Sequence, residues 1–252
     1  MQEHELTVET PDGRMTTFTA RPDGEGPFPV AVLYMDGVGY REQVKDNARR
    51  FAKAGFYCVA PDLFYRSGEK LSFDFTRMGE EGVRERVMEI VGSVKPDMAM
   101  ADTQAVFAAI ADDPTARVEG PKVCVGYCMG ARLALRAAAS MPGEMVAAAG
   151  IHPGALVTDA PDSPHHDLAD VRGELYFAFA EIDQSASADV VARFRDELNR
   201  RGVRGLVERC QGVAHGFAMA DLPVYDHDAA ERHFERTVEL WRRNLSEQQA
   251  TA

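Results

Sequence analysis

Residues 126–130 read Gly-Tyr-Cys-Met-Gly, a reactive side chain set between two glycines. The run before it, residues 122–125, is apolar and β-branched and reads as a buried strand. The run after it, residues 131–139, consists of strong helix formers. A strand that turns directly into a helix leaves its pivot residue in a strained conformation, with the side chain projecting upward. Glycines on either side keep Cβ atoms from colliding across so tight a bend. The helix then aims free N–H groups and the positive end of its dipole at the sulfur, which favours a thiolate. Cys128 is therefore the candidate nucleophile, the alternative being a small buried hydrophobe in an ordinary turn. Cys58 and Cys124 lie inside apolar strand runs and Cys210 ends one, so packing is the reading for all three.

A nucleophile needs a base, an acid to orient that base, and donors for an oxyanion. The elements that must supply them follow from the pattern of the chain. Residues 5–10 and 15–20 alternate around Pro11-Asp12-Gly13 and predict an N-terminal hairpin. Residues 30–35 form a continuous apolar strand that runs into Asp36-Gly37-Val38-Gly39-Tyr40. A helix over 42–54 stops at Gly55, and a strand over 56–60 closes at Pro61-Asp62. Helices are expected over 80–91 and 96–111, with Pro96 in a first turn. Strands over 144–151, 174–180 and 204–210 alternate with helices over 186–201 and 226–244, and 158–170 reads as loop. Strands alternating with helices predict an α/β fold: a mostly parallel central sheet, helices on both faces, in a single domain over residues 1–252.

In such sheets ligands bind beyond the carboxyl ends of the strands. Asp183 follows one such strand, and His215 follows the last. Glu181 is a rival for the acid, and Asp183 could instead cap the helix near Ser187. His152, His165 and His166 are rival bases, although His165 and His166 lack a third ligand at metal-binding spacing. The order Cys128, Asp183, His215 is that of the α/β-hydrolase fold, with each residue after a different strand. The backbone N–H of Met129, with one from Gly37 or Val38, is the expected oxyanion hole. The aromatic cluster of Phe64, Tyr65, Phe73 and Phe75 either packs beneath a long connection or walls a pocket.

Gly-Tyr-Cys-Met-Gly, the late Asp183 and His215-Gly216-Phe217 together resemble the dienelactone hydrolase family, a cysteine branch of that fold. The opening hairpin, Ala60-Pro61-Asp62-Leu63 and the closing helix extend the resemblance over nearly the whole chain. It implies an ester or lactone hydrolase of the carboxymethylenebutenolidase kind, with Cys128 as nucleophile, His215 as base and Asp183 as orienting acid. The family's thiol-pairing glutamate falls at Asp36, one methylene shorter. Its substrate-binding arginine after the histidine falls at Met219, and a second arginine falls among Arg77, Arg84 and Arg86. The resemblance implies no cofactor, no metal and a small-molecule substrate.

Two other classes compete. A glutamine amidotransferase-like enzyme also seats cysteine on such a bend, but pairs it with His-x-Glu, which His215-Gly216-Phe217 lacks. A catalytically silent binding protein on the same scaffold would need none of the three residues. The 252 residues carry a net charge of −12, which argues against nucleic acid and anionic membranes as partners. No apolar run reaches spanning length. Scattered cysteines and a polar, acidic start lead us to expect reduced thiols, no signal peptide and a cytoplasmic protein. Monomer or weak homodimer is the expected assembly.

Overall fold

The computed structural model describes residues 1–251, in two compact units divided after Glu119. In the first unit, β1 (Gln2–Thr10) and β2 (Gly13–Arg21) pair antiparallel in register from Gln2 opposite Arg21 to Thr10 opposite Gly13. β3 (Phe28–Tyr34) reaches its parallel neighbour β4 (Tyr57–Pro61) through the crossover helix α1 (Glu42–Lys53). The order in this unit is β1-β2-β4-β3, with β2 antiparallel to β4. α2 (Val83–Ser93) and α3 (Pro96–Ala109) follow, and the two-residue β5 (Ala116–Arg117) pairs with the start of β3.

The hairpin, both strands of the first crossover and all three helices match the sequence pattern. Two details differ. β2 is buried at every position from Met15 to Ala20, so it is an interior strand with α1 packed on it. α2 begins at Val83 rather than at residue 80, because Gly82 takes a left-handed conformation at φ 78° and breaks the run.

The second unit is a parallel array of β6 (Lys122–Tyr127), β7 (Met145–Ile151), β8 (Glu174–Ile182) and β9 (Gly205–Ala214), in that order. α4 (Met129–Ser140), α5 (Ala188–Arg201) and α6 (His227–Thr251) connect and close it. Its core is aromatic: Phe177, Phe179 and Phe194 pack at centroid separations of 4.9 and 5.7 Å, and Trp241 of α6 is fully buried. Residues 158–170, expected as loop, contain a 3-10 helix over Pro164–Ala169. The fold is α/β with a mostly parallel sheet and an antiparallel N-terminal hairpin.

The junction of β6 and α4 explains its glycines. A Cβ on Gly126 would lie 1.9 Å from the carbonyl oxygen of Gly130, so the helix could not start where it does. Gly126→Ala is therefore expected to cost about 3 kcal/mol of unfolding free energy, read by chemical denaturation. A loss below about 1 kcal/mol would mean that strand and helix do not approach this closely.

Candidate active site

Each strand of the second unit delivers one functional side chain from the residue after its last. β6 ends at Tyr127 and gives Cys128, β7 gives His152, β8 gives Asp183 and β9 gives His215. Because the strands are parallel and adjacent, these four residues emerge at the same end. Tyr127 is opposite Ile151, Ile151 is opposite Ala178, and Ile182 is opposite Ala214. The Cys128 N–H donates to the carbonyl of Ile151 at 3.0 Å, and the His215 N–H to that of Ile182 at 3.2 Å.

The last pairing depends on a register shift. Ala180 faces Cys210, yet Ile182 faces Ala214, so β9 carries two extra residues across this step. Gly212, at φ 73°, lets the strand bulge there. Glu181 braces the bulge: Arg209 donates to its Oε1 at 3.0 Å and the Gly212 N–H to its Oε2 at 2.8 Å. The rival acid is thus committed to the strand, and the bulge carries His215 up beside Asp183.

Cys128 has φ 52° and ψ −113°, the strained pivot that the flanking glycines called for, and it precedes the first residue of α4. It is partly accessible, whereas Cys58, Cys124 and Cys210 are buried free thiols. Burial pushes the Cys210 thiol up to about 11, with the charge of Glu208 adding to it, and Cys58 and Cys124 higher still. Those three are packing groups.

His215 Nδ1 lies 2.5 Å from Asp183 Oδ2, with about one third of the imidazole side chain exposed and the carboxylate 6% exposed. The other oxygen, Oδ1, accepts from the Ser185 N–H at 2.8 Å and the Ser185 hydroxyl at 2.7 Å. Ser187, and not Asp183, caps α5, through the Val190 N–H. Burial alone would pull the His215 pKa down, but hydrogen bonds to Asp183 and Cys128, and their charges, raise it to about 10. Burial opposes ionisation of Asp183 as well, and its bonds to His215 and Ser185 override that and hold it below the usual carboxylate value.

A raised histidine contributes stability that is complete below its unfolded value of about 6.5 and disappears as pH rises through about 10. The depressed Asp183 acts at the other end, contributing above its unfolded value and losing that contribution as pH falls through its folded one. The Tm difference between wild type and His215→Gln should accordingly shrink steadily from pH 6.5 to pH 10, by thermal unfolding in matched buffers. A difference constant over that window would contradict the paired imidazolium.

The remaining sequence candidates divide. Met129 opens α4, so its N–H belongs to the helix terminus beside Cys128. In the first unit, Asp36 is buried and gripped by Arg41, Nη1 to Oδ1 at 2.6 Å and Nη2 to Oδ2 at 3.0 Å. Oδ1 also accepts from the Val38 N–H at 3.1 Å. Asp36, expected as the partner of the thiol, thus has both oxygens engaged by an arginine five residues on. Phe64 and Met219, expected against substrate, are instead 1% and 0% exposed and belong to the packing. Arg77 is on the surface, bound to Glu80 at 2.8 Å, and Arg84 is exposed near the start of α2.

His165 bonds Ser163 Oγ at 2.7 Å and His166 bonds the Pro161 carbonyl at 3.1 Å, both within their own loop. Among the described residues no group of three His, Cys, Asp or Glu side chains could hold a metal. Nor is any described helix long and apolar enough to cross a membrane. Three residues escaped the sequence reading. Ser185, two after Asp183, is an Asx-turn signal. Arg132 lies one turn along α4 from Cys128, a half-buried cation; partial burial lowers its pKa and the sulfur's charge opposes that. Arg41 immediately precedes α1.

A model of the dienelactone hydrolase family matches residues 15–245. The chain belongs to that family. A relative in Methylorubrum extorquens named carboxymethylenebutenolidase is 24% identical over 94% of this chain and 80% of its own length. One of that name in Azospirillum brasilense is 25% identical over 93% and 95%. Among solved structures, a protein of Klebsiella pneumoniae named dienelactone hydrolase superposes with a TM-score of 0.83 at 21% identity, covering 96% of this chain and 98% of that one. A dienelactone hydrolase-like promiscuous phosphotriesterase from metagenomic libraries gives 0.76 at 20% identity, covering 97% and 99%. At such identities the superpositions establish the α/β-hydrolase type of fold, and the family match establishes a hydrolase.

Proposed function

We propose that this dienelactone hydrolase family member cleaves esters or lactones through a thioester on Cys128, with His215 and Asp183 completing the triad. The observation that carries the reading is the 2.5 Å bond between His215 and Asp183, on a histidine whose raised pKa also reflects a bond to Cys128. In the resting pair His215 is imidazolium. The thiolate of Cys128 attacks the substrate carbonyl carbon, and its oxygen becomes an oxyanion. The Met129 N–H at the start of α4 receives this charge. The tetrahedral intermediate collapses, the carbon–oxygen bond of the ester breaks, and His215 gives its Nε2 proton to the departing alkoxide. Now neutral, His215 takes a proton from water, whose oxygen attacks the thioester. Carboxylic acid and thiolate are released, and the imidazolium is restored. Asp183 holds Nδ1–H throughout, and no cofactor is needed.

Met219, buried where other members carry an arginine, favours a neutral substrate over a carboxylated one. Buried free thiols at Cys58, Cys124 and Cys210 favour a reducing compartment such as the cytoplasm. We read the chain as one hydrolase domain, acting as a monomer or weak homodimer. The test is a panel of aryl esters, neutral lactones and carboxylated lactones, run on wild type and Cys128→Ala. Turnover of the esters and neutral lactones by wild type alone is expected. Turnover of none of the three classes by the wild type would overturn the assignment.

A further inference from the structure

His152 has no part in the steps above, yet it occupies the strand end between those of Cys128 and Asp183. Its ring is 1% exposed and meets the ring of His215 at a centroid distance of 5.2 Å and an interplanar angle of 62°. Phe217 lies against it at 5.4 Å and Tyr127, the residue before the nucleophile, at 5.8 Å. One imidazole thus touches both the proposed base and the residue beside the thiol.

The backbone there is as unusual as the packing. His152 has φ 39°, a left-handed conformation that residues with a Cβ seldom adopt. Its N–H donates to the carbonyl of Ala178 at 2.7 Å, so β8 fixes the strained turn. The preceding carbonyl, that of Ile151, receives the Cys128 N–H. Of the three described non-glycine residues in this unit with positive φ, Cys128, His152 and Ala155, two are therefore Cys128 and the residue next to its backbone partner.

The need for such a ring follows from the freedom of His215. A hydrogen bond from Nδ1 to Asp183 fixes one atom and one direction. It leaves the imidazole free to rock about that axis, and any rocking swings Nε2 away from the sulfur. The bond to Cys128 opposes that rocking, and with about a third of the side chain open a packing contact on the ring adds to it. We propose that His152 is a positioning residue, its buried ring wedged against His215 so that Nε2 stays aimed at Cys128.

This inference rests on the triad reading, and the experiment separates the two. His152→Gly removes the ring and accepts the left-handed backbone without strain, which offsets part of the cost of the cavity left behind, and His152→Phe refills that cavity. Its kcat on p-nitrophenyl acetate should fall on the order of 10- to 100-fold, with KM within about 3-fold of wild type. In protein labelled with 15N-histidine, the low-field Nδ1 proton of the His215–Asp183 bond should broaden or shift upfield. His152→Phe restores a ring without nitrogens and should recover kcat to within about 5-fold of wild type. A glycine variant with kcat within about 2-fold of wild type and an unmoved proton resonance would overturn the proposal. So would a phenylalanine variant as impaired as the glycine one, since that result would give His152 proton chemistry. Undiminished ester turnover by Cys128→Ala would instead defeat the triad, and the His215 resonance would still report on the wedge.

Discussion

Cys128→Ala is expected to lower turnover of an activated aryl ester on the order of 10⁵-fold and to leave the unfolding transition almost unmoved. The size follows from what is lost. Without the sulfur no thioester forms, and water must attack the ester directly, aided only by the oxyanion donors and by substrate binding. The small effect on stability follows from the site. Cys128 is partly exposed, so alanine opens no sealed cavity, and the strained backbone at φ 52° is equally strained with either side chain. One secondary consequence sharpens the test. The hydrogen bond and charge of Cys128 help to raise the pKa of His215, so it should titrate lower in Cys128→Ala, toward the value set by burial and Asp183. A variant that keeps more than about a tenth of wild-type turnover would remove Cys128 from the mechanism.

The strained bend that carries Cys128 was legible because everything that defines it is local. A β-branched run, two glycines and a run of helix formers specify the bend within fifteen residues, and the Cβ that Gly126 cannot carry gives the reason. Asp183 and His215 were legible only as residues near strand ends. Their meeting depends on a bulge that no local pattern announces. From sequence, the last strand runs over 204–210. In the structure Gly212 is the pivot of an interruption, and the strand resumes through Ala214. Glu181 remained a rival acid for the same reason: its partners, Arg209 and Gly212, belong to a neighbouring strand.

The substrate side was the least legible. Phe64 and Met219 are residue types that serve equally in a core and in a pocket wall, and only burial separates the two uses. Asp36 stood where the family has a carboxylate, but its pairing was settled by the start of α1, which turns Arg41 back onto it. A sequence position fixes which strand end a residue occupies. It does not fix which of several nearby ions will claim it.

Asp183→Asn tests the orientation of the base with almost no change in shape, and kcat is expected to fall about 10⁴-fold. Asp183 Oδ1 already accepts two hydrogen bonds from Ser185, one from its N–H and one from its hydroxyl. An asparagine will keep its only oxygen there, because turning the amide over would set an NH₂ against both donors. The NH₂ then faces His215 Nδ1 and donates to it, so Nδ1 must be the unprotonated nitrogen. The proton moves to Nε2, the nitrogen on the side of Cys128. Such a ring cannot become the resting imidazolium without setting two donors against each other, and as a neutral tautomer it cannot accept a proton from water at Nε2. The argument makes a second variant informative. Adding Ser185→Ala removes one of the two donors that hold the asparagine oxygen, which lowers the cost of turning the amide by about 1.4 kcal/mol and should return about tenfold of the lost rate. Ser185→Ala alone, in which Asp183 still accepts from His215 and the backbone, should lose no more than about 5-fold. If the double variant is no faster than Asp183→Asn, the tautomer is not what Asp183 controls, and its contribution is the charge that it places beneath the imidazolium.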